Sequence, residues 1–290
     1  MESQSPVYFE YTKAAVPVIE NIKPETIIFN DHNKKITTPN LEVYYIDIYT
    51  NSNKNQNLDN GSSHIFYVIE GEGNTESNSL IPISWKKGDV FTLPYLNEEI
   101  IHNSISEKSI LFYANDGPLL KFLDCVPNRS RFLPTIYKND HMLEEIEKYN
   151  SEKDAKGRNR NGILLSNSEM VKEKLNTLTH TMWSLLNSIG PNSVQKPHRH
   201  NSIAVDLCTD IGEEAEKEGK VYTLMGKEVD HYGNVKDPIK MFWKKGCTFT
   251  TPPGWWHSHH NESQEPAWVF PVQDAGLHTY MRTLNIEFIN

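Results

Sequence analysis

Pro197-His198-Arg199-His200 and, further along, Gly246-Cys247-Thr248-Phe249-Thr250-Thr251-Pro252-Pro253-Gly254-Trp255-Trp256-His257 decide how this chain is read. On an extended strand, residues i and i+2 point to one face, so His198 and His200 project together. A third imidazole, His257, arrives on another strand after a Pro-Pro-Gly turn and can close a three-nitrogen site. Imidazole suits iron, zinc, copper or nickel, and three protein ligands leave positions open for a substrate. A His-x-His pair alone carries little meaning; the second motif at this spacing makes it specific.

Working outward, the second motif has an earlier copy. Trp85-Lys86-Lys87-Gly88-Asp89-Val90-Phe91-Thr92-Leu93-Pro94 returns as Trp243-Lys244-Lys245-Gly246-Cys247-Thr248-Phe249-Thr250-Thr251-Pro252, 158 residues later. An internal repeat of this length implies two similar domains. Short runs rich in Ile, Val, Phe and Tyr, separated by Gly, Asn and Asp, predict strands over 41–49, 63–70, 89–93, 100–105 and 110–113. The same pattern resumes over 177–188, 202–208, 220–224, 241–243, 247–251, 268–272 and 278–288. Between the two sets, 140–148 predicts a short helix, with acidic residues early and lysine late. Residues 149–161 are charged and polar and predict a linker, and 168–175 predicts a further helical turn behind a serine cap. Residues 212–219 predict a charged surface loop. Residues 1–40 predict a polar arm with one strand near 26–29. The expected fold is all-β: two tandem jelly-roll barrels (double-stranded β-helices), over 1–130 and 176–290, with a short helical linker over 131–175.

Composition limits the partners. The 290 residues carry a net charge of −9 without any basic block, which argues against nucleic acid. Cys125, Cys208 and Cys247 are odd in number and lack CxxC spacing, so reduced, mostly buried thiols in a cytoplasmic protein are expected. Met1-Glu2-Ser3-Gln4-Ser5 has neither a basic nor an apolar region of a signal peptide, and no apolar run reaches membrane-spanning length. The strand at 41–49, with Val43, Tyr45, Ile46 and Ile48, is apolar enough to invite edge pairing, so a homo-oligomer is expected.

The two motifs match the two-part signature of the cupins, and the duplicated chain resembles the bicupins. Among these it resembles the gentisate 1,2-dioxygenase-like ring-cleaving enzymes, through His198-Arg199-His200 and Thr251-Pro252-Pro253-Gly254-Trp255-Trp256-His257-Ser258-His259. Arg160-Asn161-Gly162-Ile163-Leu164-Leu165-Ser166-Asn167 and Thr177-Leu178-Thr179-His180-Thr181-Met182-Trp183 are similar to that family's lead-in segments. The resemblance implies Fe(II) held by His198, His200 and His257, with an aromatic substrate and O₂ as partners. It also implies a catalytic histidine at His259. Several places depart from the family pattern. Asp206 stands where the family has an arginine for the substrate carboxylate, Asn187 replaces a glutamine, and Phe270 replaces an acidic residue, with Gln273 and Asp274 close by. In the first barrel, alignment from 63–70 puts Leu58 and Asn60 in the ligand places. His64 and His102 are expected there as core histidines.

Three neutral imidazoles leave the charge of a divalent ion uncompensated, which favours an anionic, chelating oxygen ligand. Arg160 can clamp a carboxylate bidentately or serve as a solvated linker charge. Trp183 can stack on a ring or sit in the core. Trp183, Asn187, Asp206 and Gln273 are the candidate substrate contacts. His259 shares the face of His257 and can move a proton or merely orient its strand. Two other readings remain open: a metal-dependent isomerase or lyase, which needs no O₂, and a barrel that only binds a small molecule.

Overall fold

The computed structural model describes residues 22–28, 34–58, 60–151 and 161–289. In the first half, a six-stranded antiparallel sheet has the order Thr135–Tyr137, Val90–Pro94, Ser63–Glu70, Lys108–Asn115, Glu42–Tyr49, Ile36–Thr37. A four-stranded sheet lies against it, in the order Lys54–Asn57, Glu99–Ser104, Glu72–Glu76, Ile83–Lys86. The second half repeats the plan. Its six-stranded sheet runs Thr26–Ile27, Thr248–Thr251, Ala204–Asp210, Ala267–Gln273, Trp183–Ile189, Asn161–Leu165. Its five-stranded partner runs Ile239–Phe242, Val221–Gly226, Trp256–Asn261, Ser193–His200, Ile286–Phe288. The chain is therefore all-β and built of two cupin barrels.

Apolar side chains form three clusters, and strand alternation explains them. Phe66, Val68, Leu111 and Tyr113 point into the first barrel. Their neighbours Ile65, Tyr67, Phe112 and Ala114 point outward and remain buried. They meet Val205, Leu207, Phe270 and Val272, the outward residues of the other six-stranded sheet. Cys208, Phe249 and Val269 fill the second barrel. Both faces of each six-stranded sheet are thus covered, which is why these strands read as near-continuous apolar runs. The Tyr67 and Phe270 rings lie 5.2 Å apart across this boundary, and the Tyr45 hydroxyl donates to the Gly246 carbonyl at 2.6 Å. Val43 and Tyr45 are consumed here, and Ile46 and Ile48 lie inside the first barrel. The apolar character of that strand therefore gives no support for pairing with a second copy.

The barrels exchange arms. Thr26–Ile27, expected with the first barrel, pairs with Thr248–Thr251 of the second. Thr135–Tyr137, which leads into the second half, pairs with Val90–Pro94 of the first. Phe249 faces Thr26 as Phe91 faces Ile136, one repeat apart. The Lys-Lys-Gly turns superpose in chemistry as well: Gly88 and Gly246 have φ of 87° and 75°, open to glycine at little cost. In the first turn the Lys86 amide donates to the Asp89 carboxylate; in the second the Lys244 amide donates to Cys247 Sγ.

Some expectations are corrected. The segment 212–219 holds a helix, Glu213–Lys217, whose acidic residues cluster in its first turn. The stretch 278–288 is split between the helix Ala275–Met281 and the strand Ile286–Phe288, with Arg282 in the left-handed conformation ending the helix. The strand expected from 177 starts only at Trp183, because Thr179 turns the chain by accepting from the Met182 amide. The predicted linker helix spans Asn139–Asn150, and Ser168–Lys172 is capped by Asn167 rather than by a serine. The predicted linker falls largely outside the described residues. No helix among the described residues is long and apolar enough to cross a membrane. Cys208 and Cys247 are buried, Cys125 is exposed, and all three are free.

Candidate metal centre

The strand Ser193–His200 pairs with Trp256–Asn261 so that His198 and His257 are directly opposite. His198, His200 and His257 are all buried, and one nitrogen from each lies within 4.8 Å of the others. Ring centroids are 4.0 Å apart for His198 and His257, and 5.0 Å for His200 and His257. Backbone geometry sets this convergence. Gly254, at φ 74°, donates its amide to the His200 carbonyl at 2.7 Å, which fixes the Pro-Pro-Gly turn against the His-x-His strand.

Each ring is held from behind by a backbone carbonyl. His200 Nδ1 faces the Ser202 carbonyl at 2.8 Å, His257 Nδ1 faces that of Trp255 at 3.1 Å, and His198 Nδ1 faces that of Lys196 at a longer 3.4 Å. A carbonyl only accepts, so Nδ1 carries the proton in each. With Nδ1 so engaged, Nε2 is the nitrogen that would bind a metal. This is how metal-binding histidines are usually oriented, and the donor set fits a divalent transition ion. Among the described residues, these three form the group of His, Cys, Asp or Glu side chains that converges in this way.

His259 lies beside the triad, with its ring 5.6 Å from His257 and 6.1 Å from His198. Its Nδ1 contacts the Thr223 hydroxyl at 2.7 Å, and that hydroxyl accepts from the Trp243 indole at 2.8 Å. The first barrel has the same relay. Trp85 donates to Thr75, which contacts His102 Nδ1 at 2.7 Å. There the far nitrogen of His102 faces the Gln56 side-chain oxygen, and burial pulls the imidazole pKa down to about 3, so the ring is neutral.

Strand pairing fixes the true equivalences. His102 lies opposite Thr75 as His259 lies opposite Thr223, so His102 corresponds to His259. Gln56 lies opposite Ile100 as His198 lies opposite His257. The places of His198, His200 and His257 are thus held by Gln56, Leu58 and Ile100. The alignment from 63–70 put Leu58 and Asn60 there because the first barrel's connection to that strand is two residues longer. Leu58 and Ile100 are fully buried in the first core, where hydrocarbon fills the space. His64 does not meet His102 through a hydrogen bond: it contacts the Tyr113 hydroxyl at 2.7 Å and the Gly61 carbonyl at 3.1 Å.

The other candidates line the second barrel. Asn187 is buried and accepts from Gln195, whose Cα partner is His259. Gln273 accepts from Ser202, and the same hydroxyl lies 3.1 Å from His200 Nδ1. Trp183, half-buried, is the Cα partner of Gln273. Asp206 is buried and accepts from Thr251 at 2.6 Å, and burial pushes its carboxyl pKa up to about 7. Arg160 lies outside the described residues. Sequence reasoning missed Ser202, Thr223 and Gln195. The repeat singled out Trp85 and Trp243, but nothing in one sequence marks the threonine each indole reaches.

No protein-family model matches the sequence, and no curated protein does. Solved structures do match. The salicylate 1,2-dioxygenase from Pseudaminobacter salicylatoxidans superposes with a TM-score of 0.66 at 12% identity, covering 96% of this chain and 94% of that one. A single-site variant of that enzyme gives 0.68 at 13% identity with the same coverage. Another variant, in complex with gentisate, gives 0.63 at 13% identity over 86% of this chain and 73% of that one. At such identity the likeness establishes the fold: a bicupin that resembles the gentisate-like ring-cleaving dioxygenases in architecture.

Proposed function

We propose that this protein is an Fe(II)-dependent, extradiol-type ring-cleaving dioxygenase acting on a hydroxylated aromatic acid. The observation that carries the reading is the buried triad His198, His200 and His257, one nitrogen of each within 4.8 Å of the others and each Nδ1 facing a backbone carbonyl. The fold match to a salicylate dioxygenase supports it. His198, His200 and His257 would hold the iron, and three neutral ligands would leave it cationic, able to supply chelation of substrate oxygens and electron transfer to O₂.

The chain's own residues would do the rest. His259, whose Nδ1 contacts Thr223 and whose ring lies beside the triad, would move a proton at a substrate hydroxyl. Arg160 is assigned as the clamp for the substrate carboxylate. Trp183 and Asn187 would flank the ring, and Gln273 would contact its polar edge. Free thiols and a ferrous site suit a reducing, cytoplasmic setting.

The test uses protein prepared anaerobically. Iron content of one per chain is expected, with oxygen uptake on adding gentisate, other dihydroxybenzoates or salicylate. Turnover without O₂, or equally with zinc, would instead establish a lyase or isomerase. A chain that binds no metal would be a binding module.

A further inference from the structure

Asp206 lies in the middle of the strand Ala204–Asp210, where its neighbours Val205 and Leu207 pack between the barrels. Alternation therefore turns Asp206 into the second barrel, the side occupied by Cys208 and Phe249. Its residue is 5% exposed. One carboxyl oxygen is held by Thr251. The other has no hydrogen-bond partner among the described residues. That oxygen is not among the fully enclosed side-chain atoms that lack a partner, so water or a ligand can reach it.

The neighbouring strand adds a complementary group. Gln273 lies opposite Ala204, one interior position from Asp206. Ser202 occupies the Gln273 oxygen, which leaves the amide nitrogen as a donor. Ala204, the Cα partner of Gln273, carries only a methyl group there. The wall facing the histidine-bearing sheet thus presents one acceptor, Asp206, and one donor, Gln273.

We propose that Asp206 selects the substrate, and that it selects an aromatic ring carrying an amino group away from its metal-chelating oxygens. The inference rests on the ring-binding reading of the metal centre. An N–H donor satisfies the open oxygen, whereas a second carboxylate there meets like charge. The raised carboxyl pKa agrees with a group that gains from a donor brought by the ligand.

The experiment titrates zinc-loaded protein by calorimetry with salicylate and with its 3-, 4- and 5-amino derivatives. At least one amino derivative should bind about tenfold or more tighter than salicylate, the scale of a charge-assisted hydrogen bond. In Asp206→Asn, with metal content checked by elemental analysis, that ratio should fall to near one. The substitution is isosteric and uncharged at every pH, so folding should survive. Equal affinities in the wild type, or a preference kept by Asp206→Asn, overturn the assignment while leaving the metal centre standing. Failure of every salicylate to bind metal-loaded protein overturns the ring-binding reading and this inference with it.

Discussion

Asp116 and Asp274 stand 158 residues apart and reach across the barrel boundary in opposite directions. Asp116, directly after the strand Lys108–Asn115, accepts from Thr181, which leads into the second barrel, at 2.9 Å. Asp274, in the same place in the second barrel, accepts from Asn40, which leads into the first, at 2.6 Å. The remaining oxygens accept backbone amides, of Ser62 and Ser63 in one case and Ile203 in the other. Each aspartate is the N-cap residue of a short helix, yet neither caps it with its side chain. Together with the exchanged arms, these contacts tie each barrel to the other.

Removal of the Asp116 carboxylate should therefore be costly. Asp116→Ala leaves two backbone amides and the hydroxyls of Ser62 and Thr181 without their acceptor in a buried place. A loss of about 3–5 kcal/mol is expected. Urea unfolding of metal-free protein measures it, and a loss below about 1 kcal/mol would show the contact to be incidental.

Much of this was legible in the sequence, for a physical reason. Histidines at i and i+2, and a glycine forced to positive φ at Gly88 and Gly246, leave marks that survive without any homologue. The repeat showed two barrels because its turns are chemically constrained. The arm exchange was not legible: Thr26 and Ile27 form a strand against either barrel equally well by pattern, and only the tertiary packing chooses. The relay through Thr75 and Thr223 was hidden for a related reason, since a threonine on a strand is ordinary until its partner is known.

Within the triad, His198→Ala should lower metal occupancy severely. Two imidazoles chelate a divalent ion poorly, and the facing His257 loses its partner at the opposite register position. Elemental analysis after dialysis gives the readout. Occupancy equal to wild type would remove His198 from the ligand set.

The first barrel should prove silent toward the metal. Changing both His64 and His102 to Gln leaves His198, His200 and His257 untouched, so metal stoichiometry and turnover should hold. Stability should not hold equally well. His102 is fully buried between Thr75 and Gln56, and an imperfect replacement there should cost about 1–3 kcal/mol. Loss of a metal equivalent per chain would contradict the equivalence of Leu58 and Ile100 with ligand places.

For His259, geometry separates ligation from proton transfer. Its Nδ1 is engaged by Thr223, and its ring lies outside the cluster of three converging nitrogens. His259→Gln should keep its iron while turnover falls on the order of a hundredfold, the scale of losing a general acid–base. Iron lost with the side chain would make it a ligand or its support, and unchanged turnover would end the catalytic assignment.

Asp206 should leave a signature in the pH dependence of stability. Its carboxyl pKa is about 7 in the fold, raised by burial, against 3.8 for the ordinary group. Below the ordinary value both folded and unfolded chains hold the proton, and the group costs nothing. As pH rises toward 7, the unfolded chain releases its proton while the folded chain keeps it, so stability falls by about 1.4 kcal/mol per pH unit. Above 7 the loss levels off, at a total of about 4 kcal/mol. Asp206→Asn cannot titrate and escapes this loss. Its advantage over wild type should be near zero at pH 4 and a few kcal/mol at pH 8. Asp274, also raised by burial, contributes equally to both proteins and cancels in the difference. Urea titrations of the metal-free pair at the two pH values decide the matter: an advantage that does not grow with pH would mean that Asp206 is ionised and satisfied in the folded chain.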